Sequence, residues 1–272
     1  MTSATQPRIL ITGGCGRIGL LLARHLVERS NEVTPPLLTL LDHRPPPAKL
    51  ALAFVKADIA HYDAIRNHFE GQEIIVHLAA DPRPNAPWES LLPNNIIGTY
   101  NVLQAAQEAG CRRVILASSL YAVLGYEPGI VVHTDMPPRP ANLYGITKVW
   151  AEALGYRYAQ QGLSVLCVRI GWLKEPSKLA PDDANLDLII TPRDLTHLLT
   201  CCIAAPDSLR YGIFHGLSAN QVRRFDISEA QDLLGYQPQD DAFALAQRNY
   251  RILLRQWAGR IKRRIFKMRV RR

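Results

Sequence analysis

Two short stretches of this 272-residue chain carry residue types whose spacing can do chemistry. Tyr144-Gly145-Ile146-Thr147-Lys148 puts a phenol and an ammonium on one helix face, four residues apart. Thr12-Gly13-Gly14-Cys15-Gly16-Arg17-Ile18-Gly19 is a glycine loop of the kind that cradles a dinucleotide pyrophosphate. Alone, the Tyr/Lys pair is a common surface pairing. Behind a dinucleotide loop it becomes a phenol that exchanges a proton and a cation that makes it acidic enough to do so, because free tyrosine titrates near pH 10. Together the motifs imply hydride chemistry with a nicotinamide cofactor.

The loop needs a strand before it and a helix after it. Arg8 to Thr12 reads as a short buried strand, and Ile18 to Ser30 as a helix with Leu21, Leu22 and Leu26 on its apolar side. Gly13 then permits the turn, Gly16 lets backbone approach the phosphates, and Gly19 lets the helix pack on the sheet, with the helix N-terminus facing the negative charge. A second strand, Leu37 to Leu41, ends in Asp42. A carboxylate there accepts the ribose hydroxyls and repels a 2′-phosphate, which favours NAD over NADP. Arg44, two residues on, pulls the other way, and Ser30 to Pro36 lengthens the connection before this strand.

A further apolar strand, Val114 to Ala117, delivers Ser118 and Ser119 at its C-terminal end, the edge where ligands bind in doubly wound sheets. Ser119 is the serine expected to hold the substrate oxygen against Tyr144. Strands expected at 8–12, 37–42, 53–57, 74–79, 113–118, 164–170 and 212–215 alternate with helical stretches, the pattern of an α/β fold with a parallel sheet covered on both faces. Asn142 starts a helix near Leu143 that runs to about Gln161.

These features resemble the extended short-chain dehydrogenases/reductases, the NAD-dependent epimerase/dehydratase family, over roughly residues 8 to 240, and within it the uronate dehydrogenase-like branch. Further matching segments are Ala57-Asp58-Ile59, His77-Leu78-Ala79-Ala80, Asn95 to Leu103, Val168-Arg169-Ile170-Gly171 and Leu234 to Pro238. The resemblance implies a Rossmann fold and bound NAD, with Gly13, Gly16, Arg17, Ile18, Asp42, Asp58, Ile59, Leu78, Ala79, Ala80, Tyr144, Lys148 and Ile170 around the cofactor. It implies Ser119, Tyr144 and Lys148 as catalytic residues, with Asn95 in a proton relay, and Asp81, Ser119, Leu120, Tyr121 and Trp172 facing the substrate. The branch carries Asn-His where this chain has Leu120-Tyr121, and a small polar residue where it has Trp172. The expected organisation is 1–171 as the NAD-binding core, 172–247 as a substrate-binding part interleaved with its last elements, and 248–272 as a basic tail set apart by its charge.

The implied activity is NAD-dependent oxidation or reduction of a sugar or sugar acid. A nucleotide-sugar epimerase with tightly bound NAD is the second possibility, although the chain beyond Gly171 is short for gripping a nucleotide. A redox-silent NAD-binding sensor or scaffold is the third, and an intact Ser/Tyr/Lys set argues against it.

Five cysteines without CxxC spacing or metal-ligand company suit a reduced, cytoplasmic setting. No secretory signal pattern and no uninterrupted apolar run long enough to span a bilayer is present. The net charge of +8 is concentrated in the tail, where eleven of the 32 basic residues and no acid lie from Arg248 onward. There Tyr250, Leu254, Trp257, Ile261, Ile265 and Met268 recur at helical spacing among arginines. Such a basic amphipathic stretch suits peripheral attachment to an anionic membrane surface, or docking on its own body or in a homo-oligomer. Nucleic acid is disfavoured, since the body carries no motif for it.

Overall fold

The structure is a computed structural model that describes residues 7–28, 37–47 and 52–251. Strand β1 (Arg8–Thr12) feeds helix α1 (Arg17–Glu28), and β2 (Leu37–Asp42) and β3 (Ala53–Lys56) follow. The short α2 (Tyr62–Ile65) leads to β4 (Ile74–His77), then α3 (Trp88–Leu91), α4 (Gly98–Glu108) and β5 (Arg113–Ser119). The long α5 (Leu143–Ala159) precedes β6 (Ser164–Ile170), the two-residue β7 (Trp172–Leu173) and β8 (Ile189–Ile190), α6 (Pro192–Ala204), β9 (Tyr211–Gly216) and α7 (Ser228–Leu234).

Seven of the strands form one parallel sheet in the order β3-β2-β1-β4-β5-β6-β9. Each of the seven coincides with a strand expected from the sequence to within two residues at either end. For the inner strands the reason is the burial of both faces, which turns them into near-continuous apolar runs, whereas the edge strand β3 is only partly buried. Alternate residues serve opposite layers: Ile9 and Ile11 pack with α1 and α6, Leu10 with α4 and α5. The chain runs out from β1 to β3 on one side and from β4 to β9 on the other, so the order reverses between β1 and β4 and a crevice opens outside their carboxyl ends. Because β9 joins this sheet, the segment after Trp172 is woven into the core. Its remainder packs as two small clusters over the carboxyl edge, one around Leu120, Leu188 and Phe225 and one around Leu179, Leu186 and Ala242.

Most of the basic tail lies outside the described residues, as does most of the connection before β2. The tail's first residues belong to a helical stretch, 242–251, whose Ala242 and Ala246 are buried against Leu179 and Ile189. Asn249 adds hydrogen bonds from its amide nitrogen to the carbonyls of Pro176 (2.7 Å) and Leu179 (2.9 Å). No helix among the described residues is long and apolar enough to cross a membrane.

Arg113, at the start of β5, is fully buried, and its guanidinium serves the C-terminal end of α6. It donates to the carbonyls of Cys202 (3.2 Å), Ala205 (2.6 Å) and Pro206 (2.9 Å) and to Ser164 Oγ (3.1 Å). A cation at a helix C-terminus answers both the orphan carbonyls and the dipole. Arg113→Met keeps an apolar stem and removes the guanidinium that donates to those carbonyls, leaving Ala205 O without this donor. It is expected to lower stability by at least about 2 kcal/mol in urea unfolding, since buried unsatisfied groups cost roughly 1–3 kcal/mol each; a loss below about 0.5 kcal/mol would contradict this account of the α6 end.

Candidate active site

The glycine loop closes directly against the segment after β4. Gly13 sits at φ +67°, and a Cβ there would lie 2.6 Å from the backbone nitrogen of Ala79. Gly19 also has no room for a side chain, but its neighbours are the carbonyls of Gly13 and Gly14, each 2.6 Å from an added Cβ. It therefore lets α1 pack on the loop itself, where the sequence had suggested contact with the sheet.

A cleft of about 560 Å³ opens beside the loop. Gly13, Gly16, Arg17 and Ile18 line it from the loop and α1, Asp42 from the end of β2, Asp58 and Ile59 from the segment after β3, and Leu78 to Ala80 from the segment after β4. These expected cofactor positions thus share one wall. Asp42 is fixed there: its Oδ2 accepts from the backbone of Cys15 and its Oδ1 from that of Arg44, both at 3.1 Å. Asn101 holds the Asp58–Ile59 segment by donating to the Ile59 carbonyl at 2.8 Å. Asn94, not anticipated from sequence, also lines this cleft. Its side chain reaches the wall from a six-residue π-helical stretch, Leu92–Ile97, an irregularity the sequence pattern does not mark.

A second space of about 350 Å³ shares Ile18, Leu78, Ala80, Pro82, Ala117 and Leu173 with the first, so the two are continuous. Ser119, Tyr144, Lys148 and Ile170 line it, together with Tyr121 and Trp172. The two serines separate as the pleat requires. Ser118 Oγ donates to Glu152 at 2.6 Å, whereas Ser119 is hydrogen-bonded to the Tyr144 hydroxyl. The α5 start is set by Asn142, whose side chain caps the helix by accepting from Gly145 N at 2.8 Å. Tyr121 braces the Tyr144 ring edge-on, with centroids 5.8 Å apart.

The electrostatics differ from the sequence expectation. Tyr144 is almost fully buried, and this pushes its hydroxyl up to about 12, with Ser119 pulling the other way. Lys148, expected to lower it, stands 5.5 Å from the ring centroid and donates to the Ala117 carbonyl at 2.8 Å. Burial brings Lys148 itself down to about 8, opposed by the carboxylate of Glu152. Desolvation of both groups outweighs their pairing.

The contacts show how three further residues are held. The Asn95 side chain is fixed: its Oδ1 accepts from Asp81 N (2.8 Å), and its Nδ2 donates to Asp81 O (3.1 Å) and Thr147 Oγ1 (3.1 Å). It ties the segment after β4 to α5 and so positions the site. The Asp81 carboxylate is engaged by Arg83 (2.6 and 3.0 Å) and Ser90 (2.6 Å), which hold it well below the usual carboxylate range. Leu120 turns inward to the cluster with Val123 and Leu188, because the chain leaves β5 in a tight 3₁₀ turn that breaks strand alternation.

His77 links the two sides of the crevice. Thr99 gives its one proton to the Asn95 carbonyl (2.7 Å), so His77 Nε2 carries the hydrogen donated to Thr99 Oγ1 (3.2 Å). Its Nδ1 then accepts from Thr12 Oγ1 (2.7 Å). Burial, reinforced by Lys148, pushes its titration down to about 3, so the bridge stays neutral.

Residues 9–179 match the NAD dependent epimerase/dehydratase family. The NAD-dependent glucose-6-phosphate dehydrogenase of Haloferax volcanii is 35% identical over 250 residues, covering 87% of this chain and 94% of that protein. The L-arabinose 1-dehydrogenase (NAD(P)(+)) of the same organism is 33% identical, covering 88% of this chain and 99% of its own length. Among solved structures, a variant of uronate dehydrogenase from Agrobacterium tumefaciens complexed with NAD superposes with a TM-score of 0.77 at 31% identity, covering 91% of this chain and 90% of that one.

The fixed carboxylate of Asp42 should set the choice between NAD and NADP. Calorimetry is expected to show tighter binding of NAD by the wild type, and Asp42→Ala should narrow the preference by about tenfold, the removal of roughly 1.4 kcal/mol of repulsion. A wild type that prefers NADP would assign the outcome to Arg44 instead.

Proposed function

The chain belongs to the NAD-dependent epimerase/dehydratase family, and from that premise we propose that it is an NAD-dependent dehydrogenase that oxidises a hydroxyl of a sugar or sugar acid. The observation that carries this reading is the convergence of Ser119, Tyr144 and Lys148 on a space continuous with the dinucleotide cleft. The relatives named above, acting on a sugar phosphate, a pentose and a uronate, support the substrate class.

The residues around the cleft fit the cofactor: a glycine loop that lines the space with backbone, a fixed carboxylate at the end of β2, and an apolar wall from Leu78 to Ala80. When bound, NAD supplies the hydride acceptor. Arg17, Ile18, Asp58 and Ile59 would border it, with Lys148 reaching its nicotinamide end from α5. Ser119 and Tyr144 hold the substrate hydroxyl between them, and Tyr144 Oη takes its proton as the carbon is oxidised. Tyr121 and Trp172 wall the sugar side with aromatic faces, which suit the C–H surfaces of a pyranose or furanose ring. Lys148 holds a cation near the Tyr144 ring, which favours the phenolate that accepts this proton, and a low dielectric strengthens the effect. In this reading 1–171 forms the cofactor core, and 172–247 completes it and shapes the substrate side. For 248–272, docking on the body is the role that the hydrogen bonds of Asn249 support.

Tyr144→Phe keeps the ring and its packing on Tyr121 and removes only the oxygen that moves the proton. With NADH absorbance followed across free sugars, uronates and nucleotide sugars, turnover on the best substrate should fall by about 10²–10⁴-fold while NAD affinity is unchanged. A variant that keeps more than half of the wild-type rate would overturn the role given to Tyr144.

A further inference from the structure

Behind the catalytic face of α5 lies a buried charge cluster that the reaction itself does not touch. Glu152 follows Tyr144 and Lys148 on the same helix face, at the next four-residue step. Its carboxylate is buried and its two oxygens are claimed from two adjacent strands. Arg169 on β6 donates Nε to Oε1 and Nη2 to Oε2, both at 2.9 Å, and Ser118 on β5 donates to Oε1 at 2.6 Å. Ser118 and Arg169 stand opposite one another in the parallel register. A carboxylate gripped at both oxygens by neighbouring strands fixes the height and the rotation of the helix that carries it.

Resting on the hydride-transfer reading of this cleft, we propose that Glu152 is a positioning residue for the reaction: gripped by Arg169 and Ser118, it sets Tyr144 and Lys148 against Ser119, and its charge keeps Lys148 an ammonium. The charges around Lys148 support the second half. Tyr144 and Glu152 face it from its own helix, His77 from β4, the Ala117 carbonyl from β5, and Arg169 lies beyond Glu152 on β6. Asp81 is spent on Arg83. His77 and His215 are both held neutral by burial, and His215 offers Arg169 only a long 3.5 Å contact while its Nδ1 donates to the Asp226 carbonyl. Glu152 is therefore one anion shared by two buried cations. Burial drives Lys148 toward neutrality and Glu152 opposes it, so removal of the carboxylate should let Lys148 lose its proton at lower pH.

The test uses the full chain as wild type, Glu152→Gln, Glu152→Asp and Arg169→Lys. NAD affinity by calorimetry and kcat and KM for the best sugar are measured between about pH 6 and pH 10, with thermal unfolding alongside. In wild type, affinity and kcat/KM should fall as pH rises through the Lys148 titration. Glu152→Gln should move that fall down by about one pH unit and cut kcat by about tenfold or more, with a smaller change in KM. Glu152→Asp and Arg169→Lys keep the charges and loosen the grip, so they should lower kcat without moving the fall. If Glu152→Gln loses only thermal stability and its pH curves overlay those of wild type, the proposal is overturned. If Glu152→Gln does not fold, an unreduced kcat in both charge-preserving variants overturns it equally. A wild type that binds NAD with this pH dependence but reduces it with no sugar would sink the dehydrogenase reading, while the shift of NAD binding in Glu152→Gln still decides the proposal.

Discussion

The neutral imidazole of His77 is the contact on which the two-sided cleft depends. It bridges Thr12, where the glycine loop leaves β1, to Thr99 on α4, across the point where the strand order reverses. Thr99 passes the chain of hydrogen bonds to the Asn95 carbonyl, and the Asn95 side chain passes it to Asp81 and Thr147. One buried polar path therefore joins the loop expected to hold phosphates to the helix expected to do proton chemistry. Each member has its donors and acceptors satisfied, the condition on which such a network rigidifies a core. The path works only while His77 is uncharged, and burial secures that well below neutral pH.

The same burial has a chemical consequence. Excluding water from α5 lifts the Tyr144 hydroxyl to about 12 and drops Lys148 to about 8, so burial pushes each group toward its neutral form and their titrations move apart. Burial thus favours the protonated phenol at neutral pH. Ser119 is the neighbour that already favours the phenolate, and any positive charge brought by an occupant of the nicotinamide end would act in the same direction.

The parts legible in the sequence were those governed by local pattern. The buried strands announce themselves as apolar runs, the glycine loop by its spacing, and the α5 start by Asn142 placed just before the helix. The sequence places Ser118 and Ser119 together at the sheet edge, and it is the structure that separates them, with Ser118 on Glu152 and Ser119 beside Tyr144. What the sequence does not show lies in the folded contacts. Leu120 turns inward where a 3₁₀ turn ends the alternation, Arg83 and Ser90 claim the Asp81 oxygens, and the Asn95 amide bonds Asp81 and Thr147. The tuning of Tyr144 was misjudged for the same reason: a four-residue spacing shows that a cation is near, whereas burial decides which influence wins.

The central claim is that this cleft moves a hydrogen from a sugar carbon to NAD and releases the reduced cofactor. Its most direct test is isotope tracing, with sugars deuterated at their ring carbons incubated with the protein and NAD, and both products analysed by mass spectrometry. The account predicts deuterium in the released reduced cofactor, in step with loss of one deuterium from the sugar. Deuterium retained on a sugar of inverted configuration, with no reduced cofactor released, would contradict it.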